Sequence, residues 1–176
     1  MKTKAKLIRL VLFAMYGAVM FVTKLVMEPF YNIHPLTMFI MTFTVVYGPR
    51  ALIPTYVYVF LNGLFSGFGL WWYPYLYVWA IQCLVTLFVP KRIPDRAAAI
   101  VYPLLGAVFG ITFGALYSPV QALMFHFSFE TTVKWVITGL PADALHALGN
   151  FFICMLVLPL SKLLKKLHES SGIPAR

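Results

Sequence analysis

Basic residues in this chain sit at the joints between long apolar runs, and almost all of them fall in every second joint. Lys2, Lys4, Lys6 and Arg9 precede the first run, and Arg50 follows the second. Lys91, Arg92 and Arg96 follow the fourth, and Lys162, Lys165, Lys166 and Arg176 follow the last. Of the 14 Lys and Arg residues, only Lys24 and Lys134 break the alternation. Cytoplasmic loops of membrane proteins carry an excess of Lys and Arg. The pattern therefore predicts an all-α integral membrane protein: a compact bundle of six transmembrane helices with both termini cytoplasmic. Composition agrees. The chain is 61% hydrophobic and 11% charged, with a mean hydropathy of +0.85, where a soluble domain is nearer half apolar and a quarter charged. The net charge of +9 then reports orientation in a membrane, and no nucleic-acid partner is expected.

The 176 residues hold about six spans of roughly 20 residues each, so residues 1–176 are read as one transmembrane domain in the cell membrane. The first run, 7–22, is long for a signal-peptide core and lacks a small-residue cleavage site, so it reads as a retained helix. Further helices are predicted over 35–47, 51–65, 74–89 and 97–117, with a last one from about Pro141 to the Lys162–Lys166 cluster. Residues 118–138 read as a mixed segment, either a loop or a short extra helix. The second and third runs are short for a full crossing, which tilt or local thinning accommodates. A four-helix count, with 35–65 fused into one hairpin or re-entrant element, is the main competitor, and the charge pattern favours six. No internal repeat of the transporter kind is visible. Cys83 and Cys154 sit in apolar runs without metal-ligand spacing and read as plain buried thiols. No metal or cofactor is expected.

Two groups of residues stand out as candidate binding elements. Trp71, Trp72, Tyr73, Tyr75, Tyr77 and Trp79 form a dense aromatic run after the glycine-rich stretch 66–69. Trp and Tyr gather at membrane interfaces, so a headgroup belt explains part of the run. An aromatic-lined pocket for a flat organic ligand explains it as well, since glycines let a loop fold tightly over a site. Asp143, His146 and Asn150 share one helical face. Polar groups at membrane depth are costly and point into the bundle, either as a packing network with Asp143 near a cap or as the floor of an outward-facing pocket. Asn62, Gln82 and His126 offer further polar groups that could converge there. Glu130 and Lys134, four apart, read as a local ion pair, and Arg50 as a positive-inside anchor. Ala14 and Ala18 form a small-xxx-small pair that permits close helix approach in lipid.

Taken with the small six-helix plan, Phe13-Ala-Met-Tyr-Gly-Ala18 and Gly139-Leu-Pro-Ala-Asp-Ala-Leu-His-Ala-Leu-Gly-Asn150 make the chain resemble the substrate-binding S-components of energy-coupling factor (ECF) vitamin transporters. The resemblance covers essentially the whole chain through loose motifs. It implies a membrane-embedded, high-affinity vitamin-binding subunit of an ABC-type importer, not an enzyme. It implies as partners a transmembrane coupling subunit, contacted through Ala14 and Ala18, and two ATPases, in a module that is either dedicated or shared. It implies substrate near the outer face, at Trp71, Trp72, Tyr73, Tyr75, Asp143, His146 and Asn150. The chain has no Gly-x4-Gly-Lys-Ser/Thr phosphate loop, so energy would come from partners. The aromatic, weakly charged candidates suit a ring-rich vitamin such as cobalamin, with pyridoxine and queuosine precursors also open. Two other readings stand beside this one: a membrane-embedded enzyme using His126, Asp143 and His146, and a structural membrane protein without a ligand.

Overall fold

The computed structural model of the protein describes residues 2–90 and 92–171, with side chains over 7–90 and 92–170. Lys91 and Arg176, and the side chains of Lys2, Lys4 and Lys6, all part of the charge pattern, lie outside the described residues. Among the described residues the protein is all-helical: α1 (Lys2–Val26), α2 (Leu36–Tyr47), α3 (Leu52–Ser66), α4 (Tyr75–Phe88), α5 (Asp95–Phe125), α6 (Phe129–Cys154) and α7 (Val157–Ser171). Of the described residues, four stretches are long and apolar enough to cross a membrane: Leu7–Val26, Leu36–Ser66, Asp95–Phe125 and Phe129–Cys154.

The second stretch is interrupted by a 3-10 turn over Gly48–Ala51. Gly48 takes φ +63° and ψ −139° there, a conformation open to a residue without Cβ. The turn reverses the chain. Phe13 meets Tyr47 and Tyr16 stacks on Phe43, so α2 runs antiparallel to α1. Gly17 lies against Val57 and Phe21 meets Phe65, so α3 runs parallel to α1. A Cβ on Gly17 would come within 2.5 Å of Val57 Cγ1. The glycine is what lets these two helices touch.

Residues 118–138 are helical except for the short turn at 126–128, which resolves the mixed segment. The fifth helix does not stop at Tyr117, and the sixth starts at Phe129 and not near Pro141. Pro119 and Pro141 look like breakers in sequence but lie inside α5 and α6. Proline removes one helical donor, and apolar spans tolerate this when another group takes the freed carbonyl. At Pro119 that group is Ser118, whose hydroxyl donates to the Ala115 carbonyl at 3.0 Å. The real boundary is chemical. His126, at φ +53°, ends α5 in the left-handed region, and Ser128 caps α6 by accepting the Thr131 N–H at 3.1 Å. The last helix is also divided, at residues 155–156, before α7.

α5 and α6 pack at backbone contact. Gly106, Gly110 and Gly114 recur every fourth residue and make one side of α5 flat. A Cβ on Gly106 would meet Cys154 Sγ at 2.6 Å, and one on Gly110 would meet the Ala147 backbone at 2.6 Å. Small residues allow this close approach, which is a main source of helix association in lipid. At the other side of the bundle, α7 is held by Tyr47, whose hydroxyl lies 2.7 Å from His168 Nε2. The Tyr47 hydroxyl also donates to that of Tyr16 at 3.0 Å, joining α1, α2 and α7.

Candidate functional site

Asp143, His146 and Asn150 are buried on one face of α6, as their spacing predicts. They are not equivalent. Asp143 Oδ2 accepts the Gly114 N–H at 3.1 Å, an approach that only a glycine allows. Its carboxylate is thereby tied to the backbone of α5. His146 Nε2 and Asn150 Nδ2 have no hydrogen-bond partner.

The same condition recurs on the helices opposite. Tyr58 and Asn62 lie one turn apart on α3, and Trp79 and Gln82 one turn apart on α4, all buried. The Tyr58 hydroxyl, Asn62 Oδ1, Trp79 Nε1 and both polar atoms of Gln82 are buried without a partner. A line of rings connects these positions. Tyr58 meets Trp79 at 6.4 Å between centroids, and Trp79 meets Phe113 at 5.7 Å. Phe113 meets His146 at 5.0 Å, and His146 meets His34 at 5.1 Å. Four helices and the α1–α2 connection thus share one aromatic path edged by unpaired polar atoms. Buried polar groups nearly always have partners, and exceptions call for a water, ion or ligand. The set holds amide, indole, hydroxyl and imidazole groups, which offer both donors and acceptors. It holds no charged side chain. A cavity of about 230 Å³ between α4 and α5 has Gln82 and Phe109 in its wall.

The α1–α2 connection closes over α6. Asn32, at φ +54°, donates from Nδ2 to the Ala142 carbonyl at 3.1 Å. Ile33 packs at Gly149, and His34 Nδ1 is buried without a partner. Burial, with the Lys24 charge adding to it, pushes His34 down from 6.5 to about 4. The docked ring is therefore neutral at physiological pH.

The aromatic run divides. Trp71 and Tyr75 join the ring path: they meet each other at 5.6 Å, and Tyr75 meets Trp79 at 5.4 Å. The Tyr117 hydroxyl donates to the Trp71 carbonyl at 2.6 Å. Trp72 turns to α3 instead. Its indole N–H donates to the Val59 carbonyl at 2.9 Å and its ring meets Phe68. Gly63 makes room for it, since a Cβ there would lie 2.8 Å from Trp72 Nε1. Tyr73 is exposed. Trp71, Trp72, Tyr73 and Tyr75 therefore do not form one lid over the α6 trio.

His126 does not join the polar set either. It is exposed at the α5–α6 turn, separated from Asp143 by about 20 Å of helix at 1.5 Å per residue. Glu130 and Lys134 form an exposed ion pair. Ala14 and Ala18 are exposed on α1, opposite the face that Phe13, Gly17 and Met20 bury. Among the described residues no three His, Cys, Asp or Glu side chains gather as a metal site. The sequence reading missed Tyr58 and His34 as site residues, and had Trp79 only as a member of the aromatic run. It also missed the glycine ladder of α5, whose four-residue spacing was visible. Comparison with known protein families, curated proteins and solved structures finds no match.

Proposed function

We propose that this protein is a membrane-embedded substrate-binding subunit that captures a neutral, ring-containing vitamin, working as the S-component of an ECF-type importer. The observation that carries the reading is the set of buried, unpartnered polar atoms on Asn62, Trp79, Gln82, His146 and Asn150. Each such atom costs about 1–3 kcal/mol when unsatisfied. A ligand with a flat ring and a mixed donor–acceptor edge would satisfy several at once. Trp71 and Tyr75 extend the ring wall toward the loop side. Trp72, Tyr73 and Asp143 serve this reading indirectly, through packing and helix pairing.

Six crossings with both termini cytoplasmic remain the topology we favour. The reversal at Gly48–Ala51 supports it by splitting the stretch Leu36–Ser66 into two antiparallel arms. Cysteine accessibility checks it: residues 66–74 should label from outside and 92–96 from inside, and the reverse would refute the threading. The exposed Ala14–Ala18 face is the surface offered to a transmembrane coupling subunit, itself driven by two ATPases. Ala14→Trp and Ala18→Trp should abolish uptake while leaving ligand binding intact.

Cobalamin, the vitamin the resemblance points to, would have to lie across the outer mouth, because the unpartnered atoms are enclosed. A heterocycle of one or two rings, such as pyridoxine or a queuosine precursor, would reach them directly. Mass spectrometry of ligand retained through purification identifies the substrate. Calorimetry with that ligand on Asn150→Ala and Gln82→Leu should show affinity reduced about tenfold, one lost hydrogen bond of roughly 1.4 kcal/mol. Unchanged affinity in both folded variants would refute the site.

A further inference from the structure

A second cavity, of about 430 Å³, lies where α2 and α4 end and α5 begins, with α7 alongside. Its volume falls within the range of small-molecule sites. Val45, Val46, Leu87 and Val89 make much of its wall apolar, and Arg92 and Lys165 also line it. Both cations are exposed side chains. Among the described residues no acidic side chain lines the cavity. Asp95, three residues beyond Arg92, is held by Lys162. Glu169, one turn beyond Lys165, makes no ion pair among the described residues, and neither do Arg92 and Lys165. The result is a largely apolar cleft edged by two positive charges that join no ion pair among the described residues.

We propose that this cavity binds one anionic phospholipid, its phosphate between Arg92 and Lys165 and an acyl chain along the valine and leucine wall. The charge pattern puts this end of the bundle at the cytoplasmic leaflet, where basic pockets between helices hold anionic headgroups. A free phosphate would answer the two cations equally well. It would leave the half-buried Leu87 and Val89 against water, a cost that a lipid chain removes.

Native mass spectrometry of the detergent-solubilised protein tests this. It would be titrated with phosphatidylglycerol, with phosphatidylcholine, and with phosphatidylglycerol in excess inorganic phosphate. The expected result is one tightly held phosphatidylglycerol per chain and at least tenfold weaker phosphatidylcholine. Arg92→Gln/Lys165→Gln should weaken phosphatidylglycerol at least tenfold, and Arg96→Gln/Lys166→Gln, exposed but outside the cavity, should not. Equal loss in the two double variants would mean diffuse surface charge and would overturn the site. Equal retention of phosphatidylcholine, or displacement by inorganic phosphate, would overturn the lipid as its occupant.

Discussion

Asp143 and Gln82 are both buried polar side chains in apolar helices, and their surroundings treat them differently. Asp143 faces a stretch of α5 stripped to glycine, so a backbone N–H comes within reach and the carboxylate bonds to it. Gln82 sits on α4 one turn from Trp79, shares a cavity wall with Phe109, and neither of its amide atoms has a partner. A polar group in a membrane protein commonly signals function. The contrast adds a criterion: whether the protein itself supplies the partner. By that measure the α5–α6 interface satisfies its own polar group, and the α3–α4 wall with His146 and Asn150 leaves polar atoms unsatisfied.

The largest expected effect lies on the glycine side. Gly110→Val would drive its side chain into the Ala147 backbone, which has no rotamer to yield, and should cost about 3 kcal/mol of stability. Gly139→Val meets nothing within 4 Å and should cost under about 0.5 kcal/mol. Thermal unfolding in detergent reads both. If the two variants melt alike, the backbone contact is not what binds α5 to α6.

A sharper test sets the two polar groups against each other. Asp143→Leu should destabilise the protein by about 1.5–3 kcal/mol through its lost charged hydrogen bond. Asn62→Leu and Gln82→Leu should leave stability unchanged or raise it, since each removes an unsatisfied group, and both should weaken ligand binding. Equal destabilisation in all three would erase the distinction.

His34 gives a smaller, pH-dependent effect. Its docked value of about 4 lies below the ordinary 6.5, so the docked connection prefers the neutral ring. Docking is complete above about pH 6.5 and weakens as pH falls toward 4. The Lys24 charge works in the same direction as burial, and His146 meets the ring edge-on as a contact. Ligand affinity should drop roughly tenfold near pH 5, less than the full shift implies because the residue is partly exposed. His34→Asn should flatten the profile. The smallest effect divides the aromatic run: Tyr75→Ala should cost about 0.5–1.5 kcal/mol of binding, and Tyr73→Ala should cost nothing measurable by the same titration.

Helical class was legible in the sequence because long apolar runs leave few alternatives, and the shared face of Asp143, His146 and Asn150 followed from spacing alone. The ends of α5 and α6 were not legible. Pro119 and Pro141 look like stops, and the group that excuses Pro119, the neighbouring Ser118, acts through a contact no pattern reveals. The direction of Trp72 was equally hidden, since it depends on the opening left by Gly63 on another helix. His34 passed as a loop residue because its burial is created by Asn32 and Ile33 docking on α6.

The glycine ladder also bears on timing. A wall joined backbone to backbone has little slack, so α5 and α6 should behave as one stiff spine over the life of a binding event. A ligand reaching enclosed atoms needs a door, and the spine cannot provide it. That leaves the connection at 27–35, fastened to α6 by the Asn32 hydrogen bond and the packing of Ile33 and His34. Its release would then set how fast a ligand arrives and how long it stays, whatever the equilibrium affinity.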